Sequence, residues 1–103
     1  MAMTNIGFYA YLKDYSFSPT TLSLLKGDWV TFQNVGQVVH IVKSDFFESP
    51  DLLPGSGFES GQSFQQKFDK VGDFEITDPK YDNMFLKVSV LNEKDYKSFG
   101  SRV

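Results

Sequence analysis

Few side chains in this chain of 103 residues can do chemistry. It has one histidine, His40, and no cysteine. The remaining candidates lie in one stretch, Gly72–Val90, which reads GDFEITDPKYDNMFLKVSV. Phe74 and Ile76 alternate there with Asp73, Glu75 and Thr77, the period of a half-buried strand. Continuing that period carries Asp78 onto the core-facing side. Asp78-Pro79 opens a turn, because a residue before proline is pushed out of the helical region. Tyr81 and Met84 follow at successive intervals of three residues. One inward carboxylate, one phenol and one thioether therefore frame a single small loop.

This inventory does not read as an enzyme. There is no Cys nucleophile, no Ser-His-Asp pattern of recognisable spacing and no phosphate-binding glycine loop. The glycines of Leu53–Gln62 are separated by Ser, Phe and Glu and follow no strand-to-helix signature. Asp45, Glu48, Asp51 and Glu59 read as solvated charges of a long connection.

Elements that could position His40 and the Asp78 loop are visible as a series of short alternating runs. Ile6–Lys13 is a first predicted strand, with Phe8, Ala10 and Leu12 alternating against Tyr9 and Tyr11. Thr21–Leu25 is a second. Lys26-Gly27-Asp28 is a tight turn in which glycine supplies a backbone conformation costly to other residues. Trp29–Asn34 is a third strand, with Val30 and Phe32 inward and Trp29, Thr31 and Gln33 outward. Val38–Lys43 is a fourth, carrying His40 between Val39 and Ile41. Ser44–Gln62 is a long connection. Ser63–Phe68 is a fifth strand, with Phe64, Gln66 and Phe68 on one face. Leu86, Val88 and Val90 continue a last strand after the Asp78 loop. Asn92–Val103 is charged, either a short helix docked by Tyr96 and Phe99 or a frayed tail.

Several short strands with turns between them, and no long helical period, indicate an all-β protein. The length suits one domain with one core. An aromatic content of 17%, with 11 Phe and 5 Tyr, suits a sandwich whose inner faces are filled with rings. A net charge of −3 without a basic patch argues against nucleic acid as a partner. No apolar run is long enough to insert in a membrane, and MAMTNIGF is not a signal peptide. The expected architecture is a Greek-key β-sandwich or barrel of seven to eight strands across residues 1–103. Its core would span residues 6–91.

The same stretch resembles the C-terminal copper loop of cupredoxins of the plastocyanin and amicyanin type. Their pattern is Gly-x-aromatic-x-aromatic-x-Cys-x-x-His-x-x-Met, followed by a strand. Here Gly72, Phe74 and Ile76 lead to Asp78 where the Cys would stand, Tyr81 where the His would stand, and Met84 at the Met position. Upstream, Phe17-Ser18-Pro19, the run Lys26–Asn34 and His40 resemble the approach to the family's first histidine ligand.

The resemblance implies a cupredoxin-like fold and a ligand set of His40, Asp78, Tyr81 and Met84 at one end of it. A set without thiolate cannot be a type 1 blue-copper centre. Imidazole with carboxylate suits copper or zinc, and phenolate with carboxylate suits iron. The family usually works outside the cytoplasm, which implies a periplasmic or other extracytoplasmic setting. Cupredoxins often place a polar residue after the first His to tie the two ligand loops together. Ile41 stands there, so that support is either missing or supplied differently.

Each of the four residues also has a structural reading. His40 can be a partly buried histidine at a strand end. Asp78 can be a turn starter, satisfied by backbone N–H groups or by His40 as an ion-pair partner. Tyr81 can cover the top of the core, and Met84 can plug it. Two functions follow. One is an interaction module that lacks a type 1 site and meets a protein partner or parent assembly through its surface. Phe46, Phe47, Leu52, Leu53 and Phe58 either cover one sheet edge or, if exposed, form the docking patch. The other is a metal-binding protein using the non-standard site for metal handling or redox work.

Overall fold

A computed structural model describes residues 4–43, 59–81 and 83–99, with residues 97–99 described by backbone only. The first predicted strand forms as β1, Gly7–Leu12. A two-residue strand, β2, Phe17–Ser18, lies against it in the segment predicted as connection, before a cis Ser18–Pro19 bond. Then come β3, Thr21–Leu25, and β4, Asp28–Asn34. After the long connection come β5, Ser63–Phe68, β6, Gly72–Thr77, and β7, Phe85–Leu91. The charged C-terminal segment is helical as α1, Glu93–Phe99. Asn92 caps this helix by accepting the backbone N–H of Asp95 at 2.9 Å.

The strands form two sheets, ordered β2-β1-β4-β5 and β3-β7-β6. β1 runs parallel to β4, and β3 parallel to β7. The other pairs are antiparallel. The sheets face one another as a sandwich and do not close into a barrel. Alternation decides what lies between them. Along β4, Val30 and Phe32 are buried and Trp29 is exposed, as the period of two requires. Ala10, Leu12 and Phe68 join them from the first sheet. Leu24, Ile76, Leu86, Val88 and Val90 meet them from the second. Phe74 is half-buried and packs against this cluster from its border.

The predicted fourth strand does not form. Between residues 38 and 43 the only ladder contact among the described residues that joins a named strand is a bridge from Lys43 to Thr77, with both N–H···O distances at 2.9 Å. The reason is competition for backbone groups. Asn34 Nδ2 donates to the Val38 carbonyl at 2.7 Å. Asp14 Oδ1 accepts from the N–H groups of Gln37 and Val38. Lys80 Nζ donates to the Val39 carbonyl at 2.6 Å. These side chains shape the segment into a loop.

Glycine is required at one turn that matters for the fold. Gly27, at φ +97°, lets the chain pass from β3 into β4, and a Cβ there would lie only 2.7 Å from Asn5 Oδ1. No helix among the described residues is long and apolar enough to cross a membrane. The predicted docking residues Phe46, Phe47, Leu52, Leu53 and Phe58 lie outside the described residues.

Candidate functional site

The Asp78 loop is a pair of consecutive tight turns. Tyr81 N–H donates to the Asp78 carbonyl at 3.0 Å, and Met84 N–H to the Tyr81 carbonyl at 3.1 Å. This brings the carboxylate, phenol and thioether to one end of the sandwich. Asp78 and Met84 are both buried, and Met84 belongs to the core cluster against which Tyr81 packs.

His40 reaches the same place from the 35–43 loop. Its residue exposure is 0%, and both of its ring nitrogens are in use. Nε2 lies 2.7 Å from the Lys13 carbonyl. A carbonyl only accepts, so Nε2 carries the proton. Nδ1 lies 2.7 Å from Asp78 Oδ2. One further proton must lie on that axis, whichever of the two atoms holds it. Asp78 takes two more donors: the Ile41 N–H to Oδ2 at 3.2 Å, and the Lys80 N–H to Oδ1 at 2.9 Å. The buried pair therefore holds one proton between ring and carboxyl group, with both ring nitrogens and both carboxyl oxygens hydrogen-bonded. Buried polar groups are tolerated when they are satisfied in this way.

The Tyr81 ring meets the His40 ring edge-on, with centroids 5.5 Å apart at 69°. Tyr15 then meets Tyr81 in the same manner at 5.3 Å and 75°. Lys80 Nζ sits 5.7 Å from the Tyr81 ring centre, a cation over a π face. The site is thus covered by rings and tied shut by one ammonium group.

Structures similar to this one include the purple cupredoxin of Nitrosopumilus maritimus, which is 19% identical at a TM-score of 0.69. That match covers 82% of this chain and 99% of the other. A mutant of amicyanin in its oxidised state matches at 16% identity and a TM-score of 0.70, covering 82% of this chain and 81% of the other. Oxidised plastocyanin from Dryopteris crassirhizoma matches at 20% and 0.62, covering 81% and 99%. The fold is that of the cupredoxins. No protein-family profile matches the sequence, and no curated protein sequence is significantly similar to it.

Within the cupredoxin fold, all four residues that the sequence points to gather at one end. His40 touches Asp78 and Tyr81, and Tyr81 packs on the cluster that holds Met84. Half of a ligand's environment is present at His40. Its Nε2 donates to a backbone carbonyl, the usual support of a metal-bound imidazole, and this leaves Nδ1 as the atom to ligate. A carboxylate proton partner stands there instead.

A metal between Nδ1 and Oδ2, at ordinary Zn–N and Zn–O lengths, needs the two atoms about 3.4 Å apart in tetrahedral geometry. They are 2.7 Å apart and share a proton. Among the described residues no group of three or more His, Cys, Asp and Glu side chains could hold a metal ion. As arranged, His40 Nδ1 and Asp78 Oδ2 stand too close together for a metal between them.

Three participants were not visible in the sequence reading. The Lys13 carbonyl and the Ile41 N–H are backbone groups, which carry no side-chain signature. The Ile41 N–H supplies the tie between the two loops that a polar side chain gives elsewhere. Lys80 could have been flagged as the sole cation of the 78–84 loop.

Proposed function

We propose that this chain is a cupredoxin-fold binding module that acts through its surface and not through a metal. The contact that carries this reading is His40 Nδ1 to Asp78 Oδ2 at 2.7 Å. It puts a proton where a metal would need to stand. The absence of any thiolate in the sequence removes blue-copper electron transfer independently. By its resemblance to cupredoxins, we take its place of work to be outside the cytoplasm. It needs no catalytic role.

Titration with Cu²⁺, Zn²⁺ and Fe³⁺, followed calorimetrically, tests the reading. The expected result is no stoichiometric site above the background of surface carboxylates. Binding of one ion per chain that disappears in His40→Ala overturns it and establishes metal handling in its place. Proton NMR gives a second readout. A slowly exchanging, strongly downfield imidazole N–H is expected, and it should vanish in Asp78→Asn.

A further inference from the structure

The outward face of the β1-β4-β5 sheet carries exposed rings beside amides and one cation. In register, Gly7, Trp29 and Lys67 form one row, Tyr9, Thr31 and Gln65 the next, and Tyr11, Gln33 and Ser63 the third. Tyr9 is 57% exposed, Tyr11 37% and Trp29 39%. The rings of Tyr9 and Tyr11 are parallel to within 6°, with centroids 6.0 Å apart. Lys67 is the only charge on these three rows. Its Nζ lies 5.6 Å from the centre of the Trp29 ring. The side chains of Gln33 and Gln65 form no hydrogen bond with another described residue.

Gly7 is the odd member. Its φ is not positive, and a Cβ added there would meet nothing within 4 Å. Neither backbone conformation nor packing asks for glycine at that position. Glycine in a strand weakens it, and often marks a place where a ligand comes close. Here the gap lies directly across from Trp29.

From this face we infer a binding site for a neutral oligosaccharide, lying along Tyr9, Tyr11 and Trp29 with its hydroxyls on Gln33 and Gln65. Aromatic faces are negative and attract positively polarised C–H edges, which a pyranose ring offers on its flat side. Amides donate and accept at once, which matches sugar hydroxyls. A single-stranded nucleic acid would need several cations for its phosphates, and this face has one on a chain of net charge −3. A protein partner would favour an apolar centre with a polar rim. Here β1 carries the two Tyr rings, β4 continues from Trp29 to Thr31 and Gln33, and β5 carries Ser63, Gln65 and Lys67, so the middle of the face is polar. The inference deepens the reading of the chain as a binding module. It lies on the outer sheet face, apart from the buried His40–Asp78 pair, so metal titration neither supports nor removes it.

The test is a ¹H–¹⁵N NMR titration of the full chain with cellohexaose, xylohexaose and chitohexaose. Saturable shifts confined to β1, β4 and β5 are expected with at least one of them. Trp29→Ala should weaken that binding about tenfold, the usual order of one stacked ring. Gly7→Val fills the gap without touching the core, so it should fold normally and also weaken binding about tenfold. Tyr15→Ala, whose ring packs on Tyr81 and stands outside the three rows, should leave binding unchanged. The site is overturned if no sugar gives saturable shifts, or if Gly7→Val and Trp29→Ala both bind as the parent does. It is equally overturned if only an unrelated peptide or single-stranded DNA shifts these strands.

Discussion

Two buried carboxylates close the two ends of β4 and its neighbours, and they do so differently. Asp28, fully buried, opens β4. It accepts from Asn5 Nδ2 at 3.0 Å, the Ile6 N–H at 3.1 Å and the Leu25 N–H at 2.8 Å. Asp78, equally buried, follows β6 and accepts two backbone N–H groups as well. Its third named partner is His40, a ring that can gain or lose a proton. The named partners of Asp28 are amides that never change charge, and they fix it in the scaffold. Asp78 is tied to a titratable group at the position where cupredoxins gather ligands. The difference shows that burial and hydrogen-bond satisfaction do not themselves identify a site. The chemistry of the partner does.

Substitution of Asp78 by Cys together with Tyr81→His is the most radical way to break this comparison. It removes the proton partner of Nδ1 and supplies the two groups that the family pattern places at these positions. The expected outcome is a change from no stoichiometric copper to one Cu²⁺ per chain, with an intense visible thiolate band. The double variant without copper absorption would mean that the 35–43 loop no longer presents His40 as the family does.

Next in size is the loss of either carboxylate. Asp78→Ala should cost about 3–5 kcal/mol, because it breaks a buried pair and strands its ring and backbone donors. Asp28→Ala should cost less, about 2–3 kcal/mol, because the named donors it leaves are neutral amides. Urea unfolding of both variants measures the gap. A larger loss at Asp28 would mean that the His40–Asp78 contact contributes less than a buried pair should.

Most of the sandwich was legible in the sequence, because a period of two in apolar residues decides which side of a strand meets the core. β3 and β5 form with the bounds expected from Thr21–Leu25 and Ser63–Phe68, and the inward turn of Asp78 follows from the same period. The segment 38–43 was misread for a reason equally physical. Its Val-Val-His-Ile-Val pattern suits a strand, yet its backbone is claimed by Asp14, Asn34 and Lys80, two of them more than 20 residues away. Periodicity reports side-chain burial and is silent about such competition. The His40–Asp78 pair was foreseeable as one of two ways to satisfy an inward carboxylate. The Lys13 carbonyl that completes it was not, since any residue offers one.

The smallest expected effect separates the two faces of β4 itself, and so tests the scaffold that both carboxylates depend on. Val30 is fully buried and Trp29 is 39% exposed, one residue apart. Val30→Ala removes two methyl groups from the core and should cost roughly 2 kcal/mol, including the small cavity it leaves. Trp29→Ala removes a far larger side chain from the outer face. Its cost should stay at or below about 1 kcal/mol, drawn from β-propensity and from the contact with Lys67. The ordering runs against side-chain size, which makes it diagnostic. If thermal unfolding finds Trp29→Ala the more damaging change, the indole is held by packing on that face. It would then not be free to meet a ligand, and the sheet would have no open platform beside Gly7.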